Sequence, residues 1–524
     1  MYIRRTVMKS TAKAVSMVMV IMVLSRLLSF VSNWYYITAF GTTGEMDVYS
    51  FSQQLPNIIF TVLGTSLTIL IIPKFAGLIG VGEKQRAFRF VDAVLTLSVI
   101  LTLILSVICI AATPLILMFT RFRTGPEHGF AVMALSIMFP VMVFYALNYI
   151  FQGILQSFEK FNAPAFVSVP SSLVVILYVA LLGNKFGVKG LLIATFIGLS
   201  LQALILVPFI YKTEYRYHIS FDYRNPDLRE SIKLLPPVLL GTSAYQINML
   251  VNVTLAANFE ESVVSILTLI QNLMLYSILA FIFSVTAVLF PKFTVLAAKK
   301  DMDGFKETLA SVLKVIIYFI IPASFGFLAV RYQFIDFIYG WGKITKDNVD
   351  LASKMMGYYA LGLLGVSIKE VLDRVFYSLN DTVRPAVNGL IIMIVNVAGS
   401  FMLIRVNFLG VLGIPLAYSI AALTGGFVLI WMIRKKIGPF GGRDILLTTL
   451  KVLSSSVIMF CGVILCTKIL GQFGTGYVII DKAIQLLIPT FAGILIYFIC
   501  TYLLKVKEAV DTINKIKLKL GRSA

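Results

Sequence analysis

A chain of 524 residues that is 59% hydrophobic and 13% charged, with a mean hydropathy of +0.91, is too apolar for a soluble globular domain. A net charge of +20 invites a nucleic-acid reading. Its placement argues against one: 29 of the 45 Lys and Arg fall in eight segments that alternate with basic-poor loops, as in a protein that turns one face toward an anionic membrane surface.

Fourteen apolar stretches follow one another, each near the roughly 20 residues that span a bilayer as a helix. The expected fold is therefore an all-α polytopic membrane protein with 14 transmembrane helices. The first stretch, about 14–38, follows Arg4, Arg5, Lys9 and Lys13 and contains Arg26 and Asn33. Its length marks it as a retained span and not a cleaved signal. The second, about 48–73, follows Glu45 and Asp47 and carries Gln53, Gln54 and Asn57. Four more stretches, ending near Tyr211, complete an N-terminal six-helix lobe over 14–211. A polar linker, 212–233, holds a helix-start signal at Pro226-Asp227. A second six-helix lobe, 234–432, opens with two spans bearing Gln246, Asn248, Asn252, Gln271 and Asn272. Its span ten carries Lys369, Glu370, Asp373 and Arg374. An extra helix pair occupies 446–504, and 505–524 reads as a basic amphipathic tail at the membrane surface. An even number of spans and the basic segments place both termini in the cytoplasm.

The two lobes are repeats of one unit. Ile72-Pro73-Lys74-Phe75 returns as Phe290-Pro291-Lys292-Phe293, at an offset of 218. Gln156-Ser157-Phe158 with Pro164-Ala165 returns as Tyr377-Ser378-Leu379 with Pro385-Ala386, at 221. Gly187-Val188-Lys189-Gly190 returns as Gly410-Val411-Leu412-Gly413, at 223. Three marks in order at nearly constant spacing imply a duplicated bundle whose halves share an orientation, the build of a transporter with a central site.

An ionisable group within a span costs roughly 2.5–3.5 kcal/mol on insertion scales, so each needs a reason. Arg26 offers a permanently charged, planar fork suited to a phosphate oxygen. A structural partner such as Asp47 is the competing role. Glu370 and Arg374, four apart, form a pair on one helix face or a cytoplasmic gate. Asp381 either caps the start of span eleven or coordinates a cation. The amides cluster in the first two spans of each lobe and would line a shared polar cavity, although interhelical hydrogen bonding accounts for any one of them. Cys109, Cys461, Cys466 and Cys500 sit in apolar stretches without metal-ligand spacing, and neither a P-loop nor a nucleophile elbow is present. The expectation is a protein that is not an enzyme and needs no cofactor.

Several of these segments resemble the MurJ/MviN family of lipid II flippases, within the multidrug/oligosaccharidyl-lipid/polysaccharide exporter superfamily. Ser25-Arg26-Leu27-Leu28 is similar to the family's first-span motif. Asp47, Leu55-Pro56-Asn57 and Ile72-Pro73-Lys74-Phe75 follow in family order, as do Gly153 to Phe158 with Pro164-Ala165. In the second lobe Leu235-Pro236, Gln246-Ile247-Asn248, Phe376-Tyr377-Ser378 and Asp381-Thr382 continue the match. The resemblance implies a multi-pass protein of the bacterial cytoplasmic membrane that turns an undecaprenyl-linked glycan precursor outward for peptidoglycan or other envelope polysaccharide synthesis. It also implies a polyprenyl-pyrophosphate headgroup as ligand, with Arg26, Asn33, Asp47, Asn57, Gln271 and Asn272 as its contacts. The extra helix pair would take the lipid tail, and cell-wall synthesis enzymes would be partners. Three basic positions of the family are neutral here, near Ser32-Asn33, Phe60-Thr61 and Gln271-Asn272. Lipid II and other lipid-linked glycans thus both stay open, beside a cation-coupled drug exporter and a non-transporting scaffold.

Overall fold

The computed structural model describes the backbone of residues 2–510 except 159, 223 and 473. Side chains are described outside 1–20, 65–71, 234–238, 240–242, 275–281, 283–288 and 291. The part of the expected amphipathic tail beyond residue 510 therefore lies outside the described residues. The described chain is helical throughout, without strands. We number the long helices α1 (Tyr2–Phe40), α2 (Gly44–Gly80), α3 (Lys84–Ala111), α4 (His128–Ser157, interrupted at Phe139-Pro140), α5 (Asn162–Leu181), α6 (Gly183–Tyr211) and α7 (Pro226–Ala256). There follow α8 (Val263–Ala298), α9 (Met302–Tyr339), α10 (Lys346–Ser378), α11 (Val383–Leu403), α12 (Gly410–Ile437), α13 (Gly442–Leu470) and α14 (Val478–Leu503).

Among the described residues, α3 to α6 and α9 to α14 are long and apolar enough to cross a membrane. At 1.5 Å per residue, the 39, 37, 31 and 36 residues of α1, α2, α7 and α8 are also long enough, and they lie over the four remaining expected spans. Side-chain caps start several helices by satisfying orphan amides. Thr43 accepts from Met46 N, Asn225 from Asp227 N and Leu228 N, Asp301 from Gly304 N, and Thr345 from Asn348 N. Pro226 follows its cap at the first helical position, as the linker signal predicts.

The chain packs as two compact units. The first holds residues Met1–Ser265 with Gly342–Ile344, and the second Ile266–Trp341 with Thr345–Ala524. In the first, α7 packs along α2 and touches α3, so the packing boundary falls at Ser265 while the sequence repeat divides the chain in the linker. Its core joins Phe75, Phe90, Val94, Ile154, Leu155 and Leu228. In the second unit the core joins Phe293, Phe305, Leu309, Leu313, Val375 and Phe376. Helices α13 and α14 pack on α9 through Ile317, Tyr318, Val330, Val463 and Tyr497.

The duplication is written into the backbone of each unit. At the α2–α3 turn, Glu83 N donates to Leu78 O, Gly82 N to Ile79 O and Lys84 N to Gly82 O. At the α8–α9 turn, Asp301 N donates to Leu296 O, Lys300 N to Ala297 O and Met302 N to Lys300 O, the same three bonds displaced by 218. Gly82 has φ 84° and its counterpart Lys300 has φ 56°. The second pair agrees as well: Lys160 N to Leu155 O at 2.8 Å matches Asp381 N to Phe376 O at 3.0 Å. In the third pair the leading glycines Gly187 and Gly410 turn left-handed, at φ 56° and 50°. A left-handed residue is disfavoured for side chains other than glycine, which explains why that letter persists in both copies.

Candidate functional site

Unit 1 is tied at both ends of α2. In the first turn of that helix Asp47 is 0% exposed, and its carboxylate takes an ion pair from Arg121 at 3.0 Å. The other oxygen accepts from Ser265 N at 2.8 Å and Ser265 Oγ at 2.6 Å, at the start of α8. The same segments are joined by Arg121 N to Ala257 O, Asn258 Nδ2 to Phe119 O, and Ser262 Oγ to Thr42 O. A buried carboxylate needs such partners, since burial without them costs several kcal/mol. Asp47, expected to meet a ligand, thus has both oxygens engaged in holding this end together.

At the opposite end, Asp227 accepts from Arg86 Nε at 2.7 Å and Nη2 at 2.9 Å and pairs with Lys74 at 3.0 Å. Glu230 adds a second partner for Lys74 at 2.6 Å. The Arg86 fork and the Lys74 ammonium hold the Asp227 carboxyl below the usual carboxylate range. Lys74, the basic residue of the first repeat mark, therefore fastens α2 to the linker's helix start.

Helix α1 presents two faces. Ser25 Oγ donates to Ala165 O, and Ser29 Oγ shares a hydrogen bond with Ser172 Oγ, so this face packs on α5. Arg26, one residue on and about 100° round the helix, leaves that face and is exposed, and Asn33 is half-buried. Asn57 on α2 is exposed at the rim of a cavity of about 390 Å³ within the unit. Tyr145, Asn148, Tyr149, Gln152 and Gln156 of α4 line it with Gln202 of α6. The amides are not confined to the first two spans of each lobe: Asn148 and Gln152 in span four and Gln202 in span six form the chain Gln152 to Asn148 (3.0 Å), Asn148 to Gln202 (3.5 Å) and Gln202 to Ser171 (2.7 Å). Their presence in otherwise apolar stretches, four residues apart on α4, was the available signal.

In unit 2, Gln271 is buried and donates to the Tyr359 hydroxyl at 2.8 Å, while Asn272 is half-buried. On α10, where the sequence suggests a Glu370–Arg374 couple, Lys369 bridges Glu370 at 3.1 Å and Asp373 at 2.8 Å. Lys369 and Asp373, like Glu370 and Arg374, stand four residues apart on one helix face, the spacing at which such pairs form. Asp381, in the α10–α11 turn, accepts from Arg384 N and Lys436 Nζ and pairs with the Arg384 guanidinium. Burial opposes its charge, and the bonds from Lys436 and Arg384 outweigh it, so the carboxyl lies below its ordinary range. The capping role expected for Asp381 is thus present, with two cations already on its oxygens. Between α9, α13 and α14 runs an apolar groove of about 430 Å³, lined by Phe327, Val330, Met459, Val463, Leu486 and Tyr497.

Helices of membrane-crossing length, a duplicated bundle and an amide-lined cavity within one of its units define a polytopic membrane transporter fold. The chain belongs to the lipid II flippase MurJ family, whose model matches residues 36–502. It is 24% identical over 430 residues to the probable lipid II flippase MurJ of Treponema pallidum, covering 79% of each chain. With the probable lipid II flippase MurJ of Rickettsia prowazekii it shares 23% identity over 488 residues, 92% of this chain and 96% of the relative. A solved structure of lipid II flippase MurJ in an inward closed conformation superposes with a TM-score of 0.76 at 22% identity, over 93% of this chain and 98% of that one.

Proposed function

We propose that this chain is a flippase that carries a polyprenyl-pyrophosphate-linked glycan, lipid II or a related precursor, across the bacterial cytoplasmic membrane by alternating access. The observation that carries this reading is the family match along residues 36–502, joined to a lobe architecture duplicated down to its turn hydrogen bonds. Both termini lie in the cytoplasm in this reading, so the end tied by Asp47 and Arg121 is the outer end. Arg26 meets the pyrophosphate, because a guanidinium pairs a phosphate oxygen through parallel hydrogen bonds. The α9, α13 and α14 groove takes the lipid tail, and the protein acts as a transporter beside the enzymes that build and consume its cargo.

A cation-coupled drug exporter would require a carboxylate free to bind the ion, and Asp373 and Asp381 both carry basic partners here. Reconstitution with a labelled lipid-linked precursor tests the proposal. Wild type exposes the label to an outer-leaflet probe, and Arg26→Ala lowers that rate at least about tenfold, the loss expected for one charge-assisted contact of roughly 1.5–3 kcal/mol. Equal rates would remove Arg26 from the mechanism, and transport of cationic dyes without lipid movement would overturn the flippase reading.

A further inference from the structure

The amide-lined cavity of unit 1 plays no part in tying either end of α2, and its chemistry limits what it can hold. Among its described lining residues none is charged. A cation or a phosphate would enter without a counter-charge, and an apolar chain would leave the Gln156 carboxamide and the Asn57 amide nitrogen facing it without partners. A neutral ligand rich in hydroxyls has neither defect. Each carboxamide sets a donor beside an acceptor, matching two adjacent hydroxyls, and Tyr145 and Tyr149 add aromatic faces for the C–H side of a sugar ring. A volume of about 390 Å³ falls in the range of small-molecule sites, roughly 300–1,000 Å³.

Interhelical bonding uses part of this set. The chain from Gln152 through Asn148 and Gln202 to Ser171 fixes α4, α6 and α5. Asn57 and Gln156 stand outside that chain: Asn57 Oδ1 accepts from Thr61 one turn along its own helix, and both side chains line the cavity. Gly153 sets the floor, since a Cβ there would lie 3.0 Å from Ile72 Cγ1. The helices' own bonds thus pre-orient three amides, and two more complete the wall without bridging helices.

We propose that this cavity is a saccharide subsite that grips a neutral pyranose unit of the headgroup, separately from the contact that Arg26 makes with the pyrophosphate. The inference rests on the flippase reading and adds where the sugar is read. It lies toward the end of α2 that bears Lys74, which is the cytoplasmic end in that reading, where a precursor made inside the cell is first met.

The full chain in lipid nanodiscs separates the alternatives, with two probes: polyprenyl pyrophosphate carrying a neutral disaccharide, and the same lipid without sugar. Wild type binds the glycosylated lipid roughly tenfold more tightly, as about two added hydrogen bonds predict. The double variant Asn57→Leu, Gln156→Met, which leaves the interhelical amide chain intact, loses that preference and keeps its affinity for the bare lipid. A double variant that retains the preference overturns the subsite, as does one that loses affinity for both lipids alike. Wild type binding both lipids equally overturns the subsite alone, whereas wild type binding neither also overturns the flippase reading. A Gln156→Asn variant, which keeps a carboxamide, retains part of the preference if a hydrogen bond is responsible and none if shape alone is.

Discussion

Asp47 shows what a single residue contributes. It is fully buried, Arg121 beside it is 19% exposed, and the remaining oxygen is filled by two donors from Ser265. Removing one member of such a pair strands the other, at about 3–5 kcal/mol. Asp47→Ala should therefore loosen this end of unit 1, and a cysteine placed at buried position 262 should react faster with a thiol reagent in that background. An unchanged rate would show that Asp47 does not hold this end of unit 1 together. From the sequence Asp47 was visible as an acid beside an apolar run, and its partners were not. Arg121 lies 74 residues away and Ser265 lies 218 away, and nothing local to either marks it as the other half of a pair. The same limit hid the bridge from Lys369 to Glu370 and Asp373, where two cation–anion pairings within six residues fit the helical spacing and the sequence does not choose between them.

At the level of elements, the informative positions are turns and helix starts. Gly187 holds φ 56° with ψ −147° and an added Cβ would meet open space, so Gly187→Ala incurs conformational strain alone, roughly 1–3 kcal/mol. Gly413 is different. An added Cβ would lie 2.7 Å from Ile404 N and from the Leu403 carbonyl carbon, both backbone atoms that cannot step aside. Gly413→Ala should lower the melting temperature in detergent by more than Gly187→Ala does, and the reverse order would mean that α12 can shift away from α11 at little cost. The start of α7 carries a pH signature. Asp227 has a lowered folded-state pKa, so its contribution is complete above the unfolded value of about 3.9 and is lost only as pH falls through the folded value. Protection from hydrogen exchange across 224–231, with the intrinsic pH dependence of amide exchange divided out, should stay flat between about pH 8 and pH 5 and fall below about pH 4. A fall near neutral pH would mean that a histidine, and not Asp227, controls docking.

Over the whole molecule, fold class, membrane character and the repeat were legible because they rest on periodicities summed over many residues: apolar stretches long enough for a bilayer, charge alternation and three spaced marks. The packing boundary was not. It depends on which neighbour α7 prefers, and α7 lies along α2, a choice made by contacts between segments far apart in the chain. The candidate site was legible only in part. Arg26, Asn33 and Asn57 stood out in apolar surroundings, whereas Asn148 and Gln202 acquire meaning through each other, and that meeting is a product of the fold.

The paired turns at Gly82 and Lys300 have a consequence for how such a protein ages. Both copies keep one path of hydrogen bonds, yet only one has the glycine that makes the left-handed step free, and the other holds a lysine there. Ancestry has thus outlasted the letters that first encoded it. At such corners the order in which amides find carbonyls is common to the two halves where the letters differ, and transplanting one corner into the other half becomes a way to ask how much sequence difference a common blueprint absorbs.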